Sequence, residues 1–330
     1  MKALAIVSAG KIKIVNKDQP KPEPDQAIIK VSAAALNKRD QFIREGKYPN
    51  IQFGSTLGSD AVGEVVEVGE SVSKKLIGRR MIINPNIGWG NNEQVQSRVY
   101  SILGMPSDGT FAEYVAVNED RLHPIPGHLS DEEAASIPLA GLTAYRALFR
   151  HGEIKKNENI LISGFGGGVA QFVFQYAVAF GANVFVTSSS NAKIEKAISL
   201  GAQGGYNYTS PDWYKNMWQT KGGFDVVIDS AGGDQVNTFV KLMRPGGRIV
   251  FYGATNGLPS SLDLYRMFWN QIKLQGSTMG SDKEFVKMLD FITEHKIKPL
   301  VDSVRPFDEI ESAFDEIAST SKLGKIVVKL

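Results

Sequence analysis

The residues of this chain best suited to binding chemistry begin with a glycine turn, Ser163–Gly168. The turn follows a short apolar run, Ile160–Ile162, and precedes a helical pattern that continues to Phe180. A strand, a glycine turn and a helix in this order bind dinucleotides, because glycine lets the backbone approach a pyrophosphate and the helix N-terminus offers free N–H groups. The cofactor contacts predicted here are Gly166, Gly167, Gly168 and Val169.

This turn departs in one position from the Gly-x-Gly-x-x-Gly pattern of dinucleotide sites. Phe165 stands first, with Gly167 and Ala170 as the second and third positions, and Gly181 is predicted to end the helix as a C-cap. An ordinary tight turn before a core helix would also contain such glycines. The surrounding pattern decides in favour of a dinucleotide site.

The stretch after the second predicted strand favours NADP over NAD. Val184–Thr187 runs into three serines and Asn191, with Lys193 two residues further on, and contains no carboxylate. An acidic residue there would repel a 2′-phosphate, whereas hydroxyls and a lysine suit it. A serine-rich N-cap followed by a solvated lysine is the alternative interpretation. The predicted contacts are Ser188, Ser189 and Lys193.

Further cofactor contacts are predicted beyond the ends of later strands, where ligands of such sheets bind. Tyr208 follows the third strand and would pack on the adenosine, although a surface tyrosine fits the spacing equally well. The small residues Ala231, Gly253 and Ala254 follow the next two strands and would let the nicotinamide lie against backbone. Ordinary turn residues are the alternative for these positions.

Length and composition exclude several classes of protein. A chain of 330 residues is long enough for two domains, and its net charge of +2 with no Lys/Arg cluster argues against a nucleic-acid partner. Cysteine is absent, which excludes disulfides, thiolate zinc sites and cysteine nucleophiles. The apolar region Val169–Val186 is interrupted by polar residues, so no membrane span is expected. We expect a cytoplasmic protein with a small-molecule substrate.

The order of the predicted elements indicates one domain inserted into another. Short strands separated by turns fill the first part of the chain, and strands alternating with helices follow, which is typical of a parallel doubly wound sheet. The tail contains predicted helices at Lys283–Glu294 and Phe307–Ala318 and a strand at Lys325–Lys329, which we expect to return to the first module. The predicted domains are 1–126 with 279–330, around 127–278.

The chain resembles the medium-chain dehydrogenase/reductase superfamily, and within it the zinc-free quinone oxidoreductase-like branch. The matching stretches follow the family order along nearly the full length: Ala35–Asp40, Ile43–Pro49, Leu57–Gly63, Asp108–Tyr114, Leu139–Tyr145, the glycine turn and Gly324–Val327. The resemblance implies an α/β fold in which a GroES-like catalytic domain holds an inserted Rossmann domain. It also implies a homodimer built on the sheet edge near Lys273–Ser277.

Departures from the zinc-dependent relatives predict a metal-free protein. The resemblance implies that those relatives have cysteine at the positions of Asn37 and Ala140 and histidine at that of Ser59. None of the residues found here supplies a thiolate or imidazole, and Asp60 alone does not hold zinc. The loop that carries a four-cysteine structural zinc site in those relatives corresponds to Asn84–Asp108.

Without zinc, the protein lacks a strong Lewis acid for oxidising an alcohol. Hydride donation from NADPH to a quinone or an α,β-unsaturated carbonyl needs less assistance, chiefly positioning and hydrogen bonds to the developing oxyanion. We predict Asn37 and Ser59 as polar donors, Tyr48 and Phe42 as parts of the substrate wall, and Asp40 as an orienting residue.

Each of these residues also has a structural interpretation. Asn37 is a candidate loop cap, Ser59 can satisfy backbone near Gly58, and Asp40 can pair with Arg39 or Arg44. Two other functions remain open, a 2-enoyl thioester reductase and a non-enzymatic NADPH-binding sensor or structural protein.

Overall fold

The computed structural model describes residues 1–317 and 321–330, which form two compact units. The first unit comprises Met1–Ala140 and Ser281–Leu330, and the second Gly141–Gly280. The sequence-based division differs at both boundaries, because it assigns 127–140 to the dinucleotide domain and 279–280 to the catalytic domain. In the structure, the helix Asp131–Ala135 packs against the sheet of the first unit, and Ser32 Oγ donates to Asp131 Oδ2 at 2.8 Å.

The first unit is rich in strands, as predicted. Its strands are β1 (Lys2–Ser8), β2 (Lys11–Asn16), β3 (Gln26–Ala35), β4 (Asp60–Val68), β5 (Arg80–Ile83), β6 (Asn86–Ile87), β7 (Ser101–Ile102), β8 (Tyr114–Asn118), β9 (Leu122–Pro124), β16 (Val301–Pro306) and β17 (Lys325–Lys329). The main sheet has the order β16-β17-β3-β4-β5-β9, and β8 also pairs with β3.

The C-terminal strand returns to this unit, which confirms the predicted insertion. Strand β17 pairs antiparallel with β3, with Val327 opposite Ala35, and parallel with β16. Apolar side chains of these strands form one core, in which Ile29, Val65 and Val328 are fully buried. Removing such side chains from water supplies most of the free energy that holds both chain segments in one unit.

Four α-helices lie wholly within the described residues of this unit, and the sequence does not predict the first of them. They are α1 (Lys38–Arg44), α2 (Asp131–Ala135), α9 (Asp282–Glu294) and α10 (Ile310–Glu316). Helix α1 lies where the sequence pattern predicts strands. The pattern does not indicate this helix, because seven residues are too few to show a clear helical period. A single 3₁₀ turn, Phe307–Glu309, precedes α10, and the predicted end of that helix, Ala318, lies outside the described residues.

The second unit is a parallel sheet flanked by helices, as predicted. Its strands are β10 (Asn159–Ile162), β11 (Asn183–Ser188), β12 (Gly204–Asn207), β13 (Phe224–Asp229), β14 (Met243–Phe251) and β15 (Lys273–Gly276). They pair in the order β12-β11-β10-β13-β14-β15, all parallel. The strand order reverses beside β10, and ligands of such sheets bind at this switch point.

The helices connecting these strands begin with α3 (Pro138–Tyr145), which starts in the last residues of the first unit. The others are α4 (Gly168–Phe180), α5 (Asn191–Ser199), α6 (Trp213–Lys221), α7 (Gln235–Leu242) and α8 (Leu264–Trp269). Helix α3 is followed directly by a π-helical turn, Arg146–His151. Gly181 caps α4 with a φ of 92°, as predicted. Among the described helices, none has the length and apolar character needed to cross a membrane.

Candidate active site

A buried cluster of three side chains surrounds the N-terminus of α1. Asn37 Nδ2 donates to Asp60 Oδ2 at 2.9 Å, and Lys325 Nζ donates to both Asn37 Oδ1 at 2.5 Å and Asp60 Oδ2 at 3.0 Å. Asp60 Oδ1 accepts from the backbone N–H of Leu139 at 2.8 Å. The ammonium and the carboxylate are 3% and 0% exposed, so both are removed from water and depend on each other.

Ser59 lies in a second group, centred on the guanidinium of Arg39. Arg39 Nη1 donates to Ser59 Oγ at 2.6 Å and to the carbonyl oxygen of Leu103 at 3.0 Å. Ser59 Oγ itself donates to the same carbonyl at 2.8 Å, and Ser59 is fully buried. The hydroxyl hydrogen is therefore engaged, and a role for Ser59 as a substrate donor would require this bond to exchange.

Tyr48 contacts the other side of the same guanidinium. Its hydroxyl oxygen accepts from Arg39 Nε at 3.4 Å and from Arg39 Nη2 at 3.3 Å. The guanidinium carbon also lies 4.8 Å from the centre of the Tyr48 ring, within the range of a cation–π contact. Tyr48 is half-buried, and so is Phe42, whose ring lies 5.9 Å from Lys38 Nζ. Arg39, in helix α1, thus links Ser59 to Tyr48, which lies in the turn after the helix.

Asp40 is fully buried and forms no ion pair among the described residues. Asp40 Oδ2 accepts from the backbone N–H of Asn37 at 2.8 Å, which closes the first turn of α1. Asp40 Oδ1 has no partner in the described part of the chain, and Arg44 pairs instead with Asp315 at 2.8 Å. Burial raises the pKa of Asp40 to about 6, although the nearby Arg39 charge opposes the rise.

The glycine turn after β10 has the geometry of an anion-binding turn. Gly166 has a φ of 130°, and the backbone N–H of Phe165 donates to the Thr187 carbonyl at 2.8 Å. A Cβ added at Gly167 would meet no atom closer than 3.8 Å, so protein packing does not require glycine there. Gly167 is also the N-cap of α4 and has no side chain to satisfy the first N–H groups of the helix. These features fit a pyrophosphate, and Gly168 and Val169 begin the helix that would hold it.

The serine-rich stretch lies beyond the next strand, and its residues have different partners. Ser190 caps α5 by accepting from the Lys193 backbone N–H at 3.4 Å, so the N-cap interpretation holds for this serine. Ser188 is 3% exposed, and its Oγ accepts from the Ser190 N–H at 3.2 Å. Ser189 is exposed, and Lys193 lies in the first turn of α5.

The remaining predicted cofactor residues lie at the same edge of the sheet. Tyr208 follows β12, Ala231 follows β13, and Gly253 with Ala254 follows β14. Because parallel strands end on one side, these residues share the carboxyl edge with the glycine turn. A Cβ at Gly253 would lie 2.7 Å from the Ser230 carbonyl oxygen, so packing alone already requires glycine at this position.

The donor set of the first unit does not fit a zinc ion. The side chains of Asn37 and Ser59 are neutral and hydrogen-bonded, Ala140 offers no donor, and both oxygens of Asp60 are engaged. Within residues 1–317 and 321–330, no group of three or more His, Asp or Glu side chains is placed to hold a metal. The positive charge beside Asp60 is instead the Lys325 ammonium.

Sequence reasoning missed Lys325 and Arg39, the two buried cations of this site. Lys325 belongs to the matching stretch Gly324–Val327, but it lies 265 positions from Asp60, so the sequence does not predict the contact between them. For Arg39, the sequence suggests only an ion pair with Asp40. The signal that was available is the Asn-x-x-Asp pattern of Asn37 and Asp40, which is typical of a helix N-terminus and would have predicted α1.

Comparisons with known proteins agree with this fold. A family model described as an alcohol dehydrogenase GroES-like domain matches residues 23–127, and one described as a zinc-binding dehydrogenase matches 168–294. The chain is 37% identical to a "Zinc-type alcohol dehydrogenase-like protein YogA" of Leptosphaeria maculans, over 97% of this chain and 94% of that protein.

Two reductases and one solved structure are also similar. Identity is 30% to an acryloyl-coenzyme A reductase of Sulfurisphaera tokodaii, over 96% of this chain and 96% of that protein. Identity is 31% to a 2-methylene-furan-3-one reductase of Solanum lycopersicum, over 99% of this chain and 79% of that protein. The crystal structure of an NAD-dependent alcohol dehydrogenase superposes with a TM-score of 0.95 at 33% identity, covering 100% of both chains.

The GroES-like unit, the Rossmann-like sheet and these matches define an oxidoreductase. The chain belongs to the medium-chain dehydrogenase/reductase superfamily, as the resemblance predicted.

The raised pKa of Asp40 makes a testable prediction about stability. Because the pKa is about 6 in the folded protein and 3.8 in an unperturbed aspartate, folding favours the protonated form. The contribution of protonated Asp40 to the free energy of unfolding is fully present below about pH 4 and is lost as the pH rises through 6, a change of about 3 kcal/mol. From pH 4 to 7, the free energy of unfolding of the wild type should therefore fall by about that amount relative to Asp40→Asn.

Urea denaturation at several pH values measures this difference. Asp315→Asn, which removes an exposed carboxylate paired with the same helix, is the matched control and should show no comparable trend. A difference between wild type and Asp40→Asn that stays constant over this range would contradict the prediction.

Proposed function

We propose that this protein is an NADPH-dependent, zinc-independent oxidoreductase that transfers a hydride to a quinone or an α,β-unsaturated carbonyl compound. The observation that carries the proposal is the Lys325 ammonium, bound to Asn37 Oδ1 and Asp60 Oδ2. Oxygen atoms that would otherwise be free to bind a cation already bind one that belongs to the chain. Chemistry at this site therefore proceeds with the hydrogen bonds and fixed charges of the protein.

An electron-poor acceptor suits such a site better than an alcohol. Oxidation of an alcohol requires removal of its hydroxyl proton, which a metal assists by stabilising the alkoxide. A quinone or conjugated carbonyl accepts hydride at carbon and moves negative charge to oxygen, where hydrogen-bond donors stabilise it. One Asn37 Nδ2 hydrogen and the Tyr48 hydroxyl have no acceptor among the described residues and are suitable donors. The proton that completes the reduction comes from water.

The proposed cofactor is NADP, which supplies the hydride in its reduced form. The glycine turn and the N-terminus of α4 would hold its pyrophosphate, and Ser189 with Lys193 would meet the 2′-phosphate. Support for NADP over NAD rests on the absence of a carboxylate from 187–193. The solved structure cited above is that of an NAD-dependent enzyme, so the preference requires a direct test.

A 2-enoyl thioester is the second candidate substrate. The similar acryloyl-coenzyme A reductase favours it, since its name describes reduction of a carbon–carbon double bond conjugated with a thioester carbonyl. The chemistry proposed at Asn37 and Tyr48 would be unchanged, because the charge again develops on a carbonyl oxygen. A non-enzymatic NADPH-binding protein is the remaining alternative. Turnover of any of these substrates would exclude it, and NADPH binding without turnover would support it.

Steady-state assays with NADPH test the reaction and its independence of zinc together. We expect reduction of 1,4-benzoquinone or but-3-en-2-one, equal rates before and after dialysis against a chelator, and far less than one zinc per chain by elemental analysis. Crotonyl-coenzyme A in the same assay tests the thioester alternative. Gly167→Val, whose side chain would fill the space in front of α4, is the control for uncatalysed reaction. Stoichiometric zinc, or activity lost on chelation, would refute the metal-free site.

The cofactor preference is tested by fluorescence titration with NADPH and NADH. We expect NADPH to bind at least tenfold more tightly, about 1.4 kcal/mol, and Lys193→Ala to remove the difference because the 2′-phosphate loses its charged partner. Lys196→Ala, an exposed lysine in the same helix, is the matched control and should leave the preference intact. Equal affinity of the wild type for both nucleotides would contradict the preference, and no binding of either would contradict the cofactor site.

We propose further that a second copy of this chain covers helix α8 and strand β15. In the sheet of the second unit β15 is the terminal strand, so one of its edges has no partner strand in the described part of the chain. Helix α8 shortly precedes it and exposes Tyr265 by 81%, Phe268 by 65% and Trp269 by 79%. Exposed aromatic side chains and an open strand edge are components of a self-complementary interface. The predicted homodimer at Lys273–Ser277 would use this surface.

Sedimentation equilibrium tests this assembly. The wild type should be dimeric, and the double variant Tyr265→Glu/Trp269→Glu should be monomeric because the charges cannot be buried without partners. Phe53→Glu, at an aromatic residue of the first unit that is 60% exposed, is the control and should remain dimeric. A monomeric wild type, or a variant that stays dimeric, would show that this surface is not the interface.

A further inference from the structure

Arg39 is a buried cation without a carboxylate partner. It is 8% exposed, and all four of its hydrogen bonds go to uncharged oxygens, those of Ser59, Leu103 and Tyr48. None of the described carboxylates forms an ion pair with it. Asp40 acts on Arg39 only through space. Burying a charge that has no hydrogen-bonded counter-ion is costly, and an uncharged side chain of similar length would fill the same space without that cost. The charge therefore points to a role beyond packing.

The two sides of the guanidinium have different partners. Nη1 is saturated, because its two hydrogens go to Ser59 Oγ and to the Leu103 carbonyl. Nε and Nη2 both point at the hydroxyl oxygen of Tyr48. The Nη1 contacts fix the guanidinium in the core. Because the guanidinium is planar and rigid, its Nε and Nη2 donors then determine where the Tyr48 hydroxyl lies.

In this arrangement the Tyr48 hydroxyl oxygen is an acceptor for Arg39, and the hydroxyl hydrogen remains available for donation. Its oxygen accepts from Arg39, and its hydrogen has no acceptor among the described residues. A positively charged donor on the phenol oxygen strengthens the hydrogen bond that the phenol can itself donate. Tyr48 is half-buried, so water competes less for that hydrogen than at the surface.

We propose that Arg39 is a positioning residue, which holds the Tyr48 hydroxyl so that its hydrogen is donated to the substrate oxygen that becomes negative during reduction. The inference rests on the proposed function and adds to it the residue that sets the direction and strength of the oxyanion donor. Arg39 acts through Tyr48 and does not itself contact the substrate. Its effect should therefore disappear when the Tyr48 hydroxyl is absent.

A double-mutant cycle with 4-nitrophenolate tests this coupling without requiring turnover. The probe is a planar oxyanion whose visible absorbance reports binding, and it is titrated into the full chain with and without NADP⁺. Tyr48→Phe and Arg39→Gln should each weaken binding roughly tenfold or more. The double variant should bind about as well as either single variant, whereas independent effects would multiply to roughly a hundredfold.

Two further variants control for folding and for charge. Arg44→Gln removes an arginine of the same helix that pairs with Asp315, and it should leave probe binding unchanged. Arg39→Lys keeps the positive charge and replaces Arg39→Gln in the cycle if the latter does not fold. Because lysine lacks the planar guanidinium, Arg39→Lys should weaken probe binding when Tyr48 is present and should have no effect in the Tyr48→Phe background. Circular dichroism verifies the fold of each variant.

The outcomes separate this inference from the proposed function. Wild-type protein that does not bind the probe, Tyr48→Phe that binds as tightly as the wild type, or losses that multiply would overturn the role of Arg39. If the coupling is found but no quinone, enone or thioester is reduced, the proposed function fails and the Arg39–Tyr48 donor stands. Where there is turnover, the same cycle in kcat should show the same loss of additivity, with KM for NADPH unchanged.

Discussion

The buried contact between Lys325 and Asp60 is the interaction on which the first unit depends. Asp60 opens strand β4, Asn37 precedes helix α1, and Lys325 opens strand β17 near the C-terminus. Removing one partner from such a pair leaves an uncompensated buried charge, at a cost of about 3 to 5 kcal/mol. This contact joins the N- and C-terminal segments of the unit, which the pairing of β17 with β3 also joins. It also fixes the position of α1, which carries the other residues of the site.

The same interaction governs the chemistry that the site can perform. Two buried cations, Lys325 and Arg39, lie near two buried carboxyl groups, Asp60 and Asp40. Asp60 is hydrogen-bonded to the Lys325 ammonium, whereas burial raises the pKa of Asp40. Protonation of Asp40 would leave an excess of positive charge next to the proposed substrate oxygen. Fixed charges and oriented donors can stabilise an oxyanion in this way without a metal, provided that water is kept out.

Cofactor binding depends on a different constraint, the parallel arrangement of strands in the second unit. The six parallel strands of one sheet place their carboxyl ends along a single edge, so residues far apart in sequence converge there. At this edge, packing explains some glycines and not others. Gly253 is required by the nearby Ser230 carbonyl, whereas Gly167 faces open space before α4. A glycine that packing does not require, at a helix N-terminus without a capping side chain, is the better indicator of a ligand.

The sequence by itself determined the fold class, the insertion of one unit into the other, the glycine turn and the lack of zinc-binding side chains at three positions. These properties are local: a strand, a glycine cluster or a missing cysteine is visible in a few consecutive residues. Tertiary structure alone decided that Lys325 lies against Asp60, that Arg39 joins Ser59 to Tyr48, and that Asp40 is fully buried. Burial and ion pairing depend on residues distant in sequence, so the roles of single side chains emerge only when the strands have paired.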